Sequence, residues 1–231
     1  MNVVITGASQ GIGFGLAEKF ASEGANLFLC SRNMDRHSGW QKEMMKKYDI
    51  TISTYNADLS QKSETEAFAD AVISAWNTID ILINNAGSFV PGSLYNEPEG
   101  NLEKMIELNL YSAYHLSRKL IPIMIQQGSG HIFNMCSVAA LKAYPAGGSY
   151  SISKFALLGF SKNLRHEMKN FGIKVTSVHP GATFTPAWEG FAERSRIMEV
   201  SDIAELIWSA STLSPNACVE EILLRPQLGD I

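Results

Sequence analysis

The sequence has few cysteines, no excess of basic residues and no long apolar segment, and each shortage excludes a class of protein. Its three cysteines are far apart, and each lies in or beside an apolar run. That pattern is unlike a disulfide framework or a zinc ligand set, and it favours small buried side chains in a reducing compartment. Lys and Arg number 19 against 23 Asp and Glu, so the basic surface of a nucleic-acid-binding protein is not expected.

Membrane-spanning and linker sequences are also missing. No apolar run reaches the roughly 18 residues that cross a bilayer, and the N-terminus has no basic segment followed by a secretory core. No linker, charge block or internal repeat divides the 231 residues. Since an α/β chain of about 200 to 250 residues is commonly one unit, we expect a single cytoplasmic domain over 1-231, beginning near Met1, with no membrane or nucleic-acid partner.

Short apolar runs alternate with longer amphipathic segments along the chain. The short runs predict seven strands, near 3-5, 26-30, 51-55, 79-83, 131-135, 174-178 and 221-224. The longer patterns predict helical crossovers near 12-25, 38-48, 62-76, 100-127, 150-171 and 201-212. This order predicts an α/β fold, a single Rossmann-type doubly wound, seven-stranded parallel sheet with helices on both faces.

Three long irregular stretches, 85-99, 138-149 and 180-200, each follow a predicted strand. They are therefore expected at the carboxyl edge of the sheet, where folds of this kind bind ligands. The substrate loop is expected at about 182-200, and it is short, so any lid over a substrate is expected to be small. Five apolar side chains in these stretches could line a substrate pocket or simply seal the core: Leu141, Tyr144, Phe184, Trp188 and Phe191.

A glycine-rich turn lies between the first predicted strand and the first predicted helix. Residues 6-13 read Thr-Gly-Ala-Ser-Gln-Gly-Ile-Gly. Gly7 permits a tight turn, Gly11 allows a phosphate to approach the backbone, and Gly13 allows the helix to pack closely on the sheet. A turn without a ligand is possible from glycines alone, but their position after a strand favours a nucleotide site. The spacing resembles the first turn of the short-chain dehydrogenase/reductase family, T-G-x-x-x-G-x-G.

Further segments match this family in order. Asn84-Asn85-Ala86-Gly87 follows the fourth strand and resembles the N-N-A-G motif, which implies that it holds the ligand edge together and lines the cofactor. Pro180-Gly181 resembles the turn whose threonine tail contacts the nicotinamide, although Thr183 stands where the family more often has an aliphatic residue. Asp58 either lies near the adenine ring, as in the family, or caps the following helix. The resemblance implies cofactor binding by Gly7, Ser9, Gln10, Gly11, Ile12, Gly13, Ser31, Arg32, Asp58, Leu59, Asn85, Ala86, Gly87, Tyr150, Lys154, Pro180, Gly181, Thr183 and Thr185.

The end of the second predicted strand indicates which dinucleotide is bound. An NAD site usually places a carboxylate about 20 residues past the glycines. Here the segment 30-33 reads Cys-Ser-Arg-Asn, without an acid. The Arg32 guanidinium and the Ser31 hydroxyl suit a 2'-phosphate, so NADP(H) is expected in preference to NAD(H). Asp35 leaves NAD(H) open if the loop folds back, and Arg36 is a possible second phosphate partner.

Tyr150 and Lys154 are spaced i and i+4, so a helix presents both side chains on one face. A phenol has an ordinary pKa of about 10, and a neighbouring ammonium stabilises its anion. Asn109 and Ser137 precede this pair, and the four residues resemble the Asn-Ser-Tyr-Lys tetrad of the family in order and spacing. The resemblance implies that Tyr150 is the general acid/base and that Ser137 donates a hydrogen bond to the substrate carbonyl. It implies that Lys154 lowers the pKa of Tyr150 and holds the nicotinamide ribose, and that Asn109 positions a water.

The sequence therefore predicts an NADP(H)-dependent oxidoreductase of small molecules, which interconverts a ketone or aldehyde and the corresponding alcohol without a metal. The alternatives are an NADP(H)-binding regulator without turnover, an epimerase or dehydratase, and a carrier-protein-linked 3-oxoacyl reductase. The C-terminal run 220-229 resembles the ending of carrier-protein and sepiapterin reductases but lacks the glycine pair of the former. The family resemblance also implies a homodimer or homotetramer built on the 100-127 and 150-171 helices.

Overall fold

The computed structural model describes residues 1-186, 190 and 193-230. These residues form a seven-stranded sheet in the order β3-β2-β1-β4-β5-β6-β7, and every neighbouring pair of strands is parallel. The strands are β1 Asn2–Thr6, β2 Asn26–Ser31, β3 Ile52–Asn56, β4 Ile81–Asn84, β5 Gly130–Met135, β6 Ile173–Pro180 and β7 Glu221–Leu224. The chain starts at the centre of the sheet and winds outwards in both directions, so the predicted doubly wound parallel sheet is confirmed.

Seven α-helices occur in the described part of the chain. They are α1 Gly11–Ser22, α2 Ser38–Tyr48, α3 Lys62–Ala75, α4 Asn101–Ile106, α5 Ser112–Gln127, α6 Gly148–Met168 and α7 Val200–Ser211. The predicted ends of the strands and helices differ from these bounds by three residues or fewer, with one exception. The pattern at 100-127 is not one α-helix, because a π-helical turn at Glu107–Tyr111 joins α4 to α5. Apolar periodicity continues through such a turn, so the sequence pattern could not reveal it.

Apolar side chains alternate along each strand and pack on helices at both faces of the sheet. On one face, Val3 and Ile5 of β1 share a buried cluster with Leu16 and Phe20 of α1 and with Ile203 and Ile207 of α7. On the other face, Val4 and Leu82 join a second buried cluster with residues of α3, α5 and α6. Two apolar layers cover the faces of the sheet, and the ends of its strands lie outside these layers.

Two of the three cysteines are buried, as their apolar surroundings in the sequence indicate. Cys30 and Cys136 are buried, Cys218 is half-buried, and all three are free. Burial raises the pKa of the Cys30 thiol to about 12, as expected for a small apolar side chain in a core. Over the described ranges, no helix is long and apolar enough to cross a membrane, and no group of His, Cys, Asp and Glu could hold a metal ion.

Candidate active site

A cavity of about 1020 Å³ opens at the carboxyl edge of the sheet. Its walls come from the turn after β1, from the segments after β2, β3, β4, β5 and β6, and from the start of α6. The residues that the sequence predicts for cofactor binding line this cavity, with one exception; they are Gly7, Ser9, Gln10, Gly11, Ile12, Ser31, Arg32, Asp58, Leu59, Asn85, Ala86, Gly87, Tyr150, Lys154, Pro180, Gly181, Thr183 and Thr185. With Arg225 and Asp230, which follow β7, segments after all seven strands meet in one cavity.

The exception, Gly13, lies behind the glycine turn. A Cβ atom at Gly13 would lie 2.3 Å from the Gly7 carbonyl oxygen and 2.5 Å from Nδ2 of Asn85. Gly7 itself has a φ of 65°, which is the left-handed region that favours glycine. Gly13 therefore contributes by letting α1 approach the turn, as the sequence predicts, and the backbone of the turn stays open to a ligand.

Asn85 ties the glycine turn to the neighbouring strand. Its Nδ2 donates to the carbonyl oxygens of Thr6 at 2.9 Å and Gly7 at 3.2 Å. The Thr6 hydroxyl accepts from the backbone N–H groups of Asn85 and Ala86 at 3.0 and 2.9 Å. These bonds join the ends of β1 and β4, so the position of the turn is set by a side chain about 80 residues away. Thr6 was missed as a supporting residue, although it directly precedes Gly7.

The segment after β2 presents cations to the cavity. Arg32 is exposed and lines it together with Ser31 and Arg36. Arg36 donates from Nη2 to the Ser9 carbonyl oxygen, and to Oε1 of Gln10 at 3.2 Å, so this second arginine is anchored on the glycine turn. Lining residues of this segment include no acid.

Two acidic residues near this end have local partners. Asp35 accepts a hydrogen bond from Nδ2 of Asn56 at 3.3 Å, and Asp35 is absent from the cavity lining among the described residues. Asp58 does line the cavity, while its Oδ1 accepts from the backbone N–H of Ser60 at 3.1 Å and from its hydroxyl at 2.8 Å. Asp58 therefore supports the turn before α3 without capping that helix, which begins after Gln61, and its expected place near the adenine ring stays a prediction.

Ser137, Tyr150 and Lys154 line the same cavity as the glycine turn. Ser137 follows β5 and starts a 3-10 turn at Val138–Ala140, where its Oγ accepts from the backbone N–H of Ala139 at 3.1 Å. Tyr150 and Lys154 lie in the first two turns of α6, and Nζ of Lys154 is 5.8 Å from the centroid of the Tyr150 ring. The ammonium donates to the Met135 carbonyl oxygen at 2.8 Å. The structure therefore brings these three side chains together, as their order in the sequence predicts.

The pKa values of Tyr150 and Lys154 differ from those that the family resemblance implies. Burial raises the pKa of Tyr150 to about 12, and the Ser137 side chain opposes that rise. Burial also lowers the pKa of Lys154 to about 8. Burial is the largest influence on the pKa of both groups, so the lowering of the Tyr150 pKa that the resemblance implies does not appear in this structure.

Asn109 lies in the π-helical turn and is fully buried rather than exposed in the cavity. Its Oδ1 accepts from the backbone N–H of Ser88 at 2.8 Å, and its Nδ2 donates to the Ser88 carbonyl at 3.1 Å and to the Ser153 hydroxyl at 2.9 Å. The Ser153 hydroxyl donates to the Tyr150 carbonyl oxygen at 2.7 Å. Asn109 thus connects the segment after β4 with the backbone of the helix that carries Tyr150.

Two more side chains beside the site were not singled out from the sequence. His179 is buried and donates from Nδ1 to the Ser137 carbonyl oxygen at 3.1 Å. Phe89 lines the cavity and packs edge-to-face on Tyr150, with 4.8 Å between ring centroids. Their positions offered a signal, because His179 directly precedes Pro180-Gly181 and Phe89 lies two residues after the Asn84–Gly87 motif.

The predicted aromatic substrate pocket is only partly described. Tyr144 lines the cavity, whereas Leu141 and Phe184 are outside its lining, and Arg194 lies over the Phe184 ring at 4.5 Å. Trp188 and Phe191 fall outside the described residues, as does part of the expected substrate loop. Instead, Phe89 and Tyr144 supply the aromatic surface near Tyr150.

Comparisons with known proteins show which family this chain resembles in sequence. The model described as short chain dehydrogenase matches residues 1–195. A protein named sepiapterin reductase, from Chlorobaculum tepidum, is 32% identical over 238 residues, which cover 99% of this chain and 97% of the relative.

Two solved structures are similar over nearly the whole chain. The alcohol dehydrogenase from the archaeon Thermococcus sibiricus, complexed with 5-hydroxy-NADP, has a TM-score of 0.90 at 26% identity, with 98% of this chain and 96% of that one covered. The L-sorbose reductase from Gluconobacter frateurii, complexed with NADPH and L-sorbose, has a TM-score of 0.89 at 26% identity, with coverage of 96% and 94%. Because the family model spans most of the sequence, the chain belongs to the short-chain dehydrogenase family and is an NAD(P)-dependent oxidoreductase acting on CH–OH groups.

Proposed function

We propose that this protein is an NADP(H)-dependent carbonyl reductase and alcohol dehydrogenase for small molecules. The observation that carries the proposal is the meeting of Ser137, Tyr150 and Lys154 in the same cavity as the glycine turn at Gly7 to Ile12. A proton donor, a second hydrogen-bond donor and a cation beside a nucleotide-binding turn are the groups that reduction of a carbonyl needs.

The roles of these residues follow from their protonation and position. NADP(H), when bound, supplies or accepts the hydride. With a pKa of about 12, Tyr150 holds its proton on Oη at neutral pH and can give it to the oxygen of a carbonyl. The Ser137 hydroxyl would donate to the same oxygen, while the Lys154 ammonium favours the negative charge that grows there. In alcohol oxidation the proton moves in the opposite direction, to Tyr150.

The preference for NADP(H) is supported by charge at the end of β2. Arg32 and Arg36 line the cavity there, and the nearby Asp35 is bonded to Asn56. A guanidinium pairs with phosphate through parallel hydrogen bonds, whereas a carboxylate would be expected for a free 2'-hydroxyl. The solved structures of the similar alcohol dehydrogenase and L-sorbose reductase hold 5-hydroxy-NADP and NADPH. These observations favour Arg32 and Ser31 as the 2'-phosphate ligands.

The proposal includes one domain over 1-231, a substrate loop at about 182-200 and a homodimer or homotetramer. Exposed apolar side chains on the two long helices support the assembly: Tyr111 beside α5 is 48% exposed, and Ile152 and Phe155 of α6 are 39% and 45% exposed. Burial of such side chains between copies would be favourable. Light scattering on purified protein gives the number of subunits, and a monomer at all concentrations would contradict this part of the proposal.

The test is carbonyl-dependent oxidation of NADPH by the wild type and by Tyr150→Phe. The panel contains 2,3-butanedione, 4-nitrobenzaldehyde and ethyl acetoacetate, each assayed with NADPH and NADH. Loss of the phenolic proton is expected to lower kcat by about 10² to 10⁴-fold. Tyr48→Phe, at a half-buried tyrosine of α2 that does not line the cavity, is the matched control and should keep wild-type activity. Unchanged turnover in Tyr150→Phe would refute the mechanism, and tight NADPH binding without turnover in the wild type would favour a regulator.

A further inference from the structure

The segment 88-97, here the 88-97 loop, crosses over the start of α6. At its first residue, the backbone of Ser88 is bonded to the amide of Asn109. At the next residue, Phe89 packs on the ring of Tyr150. Further along, the backbone N–H of Gly92 donates to the Ala146 carbonyl oxygen at 3.0 Å. The loop therefore contacts the helix that carries Tyr150 and also the stretch before that helix.

Glu97 makes the last contact of this loop. Its Oε1 accepts a hydrogen bond from the Ser149 hydroxyl at 2.5 Å, and its Oε2 is 3.4 Å from the Ser149 backbone nitrogen, from which it accepts a longer bond. Ser149 is 1% exposed and is the second residue of α6. The residue before the helix, Gly147, has no side chain to cap it. A carboxylate here satisfies a free N–H group and stabilises the positive end of the helix dipole.

The fit between the loop and the helix start is close. Gly148 has a φ of 41°, and a Cβ atom there would lie 2.3 Å from the Gly92 carbonyl oxygen and 3.0 Å from Oε2 of Glu97. The backbone of the loop thus lies directly on the backbone of the turn before Tyr150. A shift of the loop would have to move Gly148, Ser149 and the adjoining Tyr150 together.

We infer that Glu97 is a positioning residue for the reaction, which latches the 88-97 loop onto the first turn of α6. This inference rests on the proposed function of the site. Glu97 is absent from the cavity lining in the described part of the chain, so it acts through Ser149, which adjoins Tyr150, and through the loop that carries Phe89. The contact between Glu97 and Ser149 holds the phenol of Tyr150 and the ring of Phe89 at a fixed distance and orientation. It does not involve the glycine turn that faces the cofactor.

The kinetic test is a double-mutant cycle with Glu97→Ala, Ser149→Ala and both changes together. Each single change is expected to lower kcat/KM for 2,3-butanedione about tenfold, since a hydrogen bond to a charged group is lost. The double variant should lose no more than a single variant, because the two side chains act as a pair. The NADPH Kd, measured by fluorescence titration, should stay within about twofold of the wild type. Glu99→Ala, at an exposed acid two residues on, is the control.

Hydrogen–deuterium exchange gives a readout that needs no turnover. Peptides covering 88-97 and 146-151 should exchange faster in Glu97→Ala and Ser149→Ala than in the wild type and in Glu99→Ala. Glu97→Gln, which keeps the size of the side chain, serves if the alanine variant fails to fold. The positioning role of Glu97 would be overturned if its variants lose thermal stability but keep the wild-type kcat/KM. It would also be overturned if the kcat/KM losses of the two single variants add in the double variant. If the wild type reduces no carbonyl, the proposed function fails. Independently of that result, unchanged hydrogen–deuterium exchange of both peptides in Glu97→Ala and Ser149→Ala would overturn the inference that Glu97 holds the loop on α6.

Discussion

The proposed preference for NADP(H) assigns the 2'-phosphate chiefly to one residue, Arg32. Arg32→Asp is expected to raise the NADPH Kd by about 10 to 100-fold and to leave the NADH Kd equal or lower, because a charge-assisted bond is replaced by repulsion. Fluorescence titration with both dinucleotides measures the two constants. Lys46→Asp, at an exposed residue of α2, makes the same change in charge and should leave both constants unchanged. An unaltered preference in Arg32→Asp would contradict the assignment of the 2'-phosphate.

The buried pair Tyr150 and Lys154 predicts the pH dependence of carbonyl reduction. Tyr150, with a pKa of about 12, keeps its proton across the ordinary range, whereas Lys154, with a pKa of about 8, loses its charge as the pH rises through that value. We expect kcat/KM to be level below pH 8 and to fall about tenfold per pH unit well above it. Steady-state rates with 2,3-butanedione between about pH 6 and pH 10 test this.

Lys154→Arg identifies the group behind that decline. The guanidinium stays charged over the whole range, so the decline near pH 8 should disappear, even though the overall rate is lower. The same decline at the same pH in Lys154→Arg would show that another group is responsible. This prediction concerns how kcat/KM changes with pH, and an equal loss of activity at every pH would leave that change the same.

Among the elements, the turn between β1 and α1 is the most sensitive to added volume. A Cβ atom at Gly13 would overlap the Gly7 carbonyl oxygen, so Gly13→Ala must push α1 away from the turn. We expect a drop in Tm and a rise of at least about tenfold in the NADPH Kd. Gly39→Ala in α2 is the matched control, because no atom lies within 4 Å of the added Cβ. Equal NADPH affinity in Gly13→Ala would show that the close approach is not needed for binding.

Acid stability of the whole molecule depends in part on His131 in β5. Its Nε2 donates to the Thr176 hydroxyl at 2.7 Å, because that hydroxyl already gives its proton to the Val219 carbonyl. Its Nδ1 has no partner within the described residues. Burial, with smaller contributions from Lys174 and Arg165, lowers the pKa of His131 to about 3. The folded protein therefore resists taking up this proton.

The unfolded chain takes up the same proton near the ordinary histidine pKa of about 6.5. The contribution of His131 to stability is thus complete above that pH and is lost as the pH falls towards 3, by about 3 kcal/mol at about pH 4.5. Urea unfolding at about pH 7 and about pH 4.5 should show a smaller loss for His131→Leu than for the wild type. His166→Leu, at an exposed histidine, should behave as the wild type does. Equal losses in all three proteins would contradict the prediction.

Local sequence patterns predict most of the fold, but they miss several residues that hold the side chains of the site in place. Apolar runs gave the seven strands because a strand covered on both faces must be apolar, and the glycine and Tyr-Lys spacings marked the residues that meet in the cavity. The π-helical turn around Asn109 was missed because the apolar period continues through it. His179 and Glu97 were missed because their partners, Ser137 and Ser149, are 42 and 52 residues away.

The sequence by itself determined the parallel sheet, the family and the charge at the end of β2, since each depends on residue type and on neighbours along the chain. Only the tertiary structure decided the protonation of Tyr150 and Lys154, because burial, which is a property of the packed molecule, is the largest influence on both pKa values. It alone also decided that Asp35 is bonded to Asn56 and that Glu97 caps α6. These contacts join segments far apart in the chain, and no local pattern contains the information that brings them together.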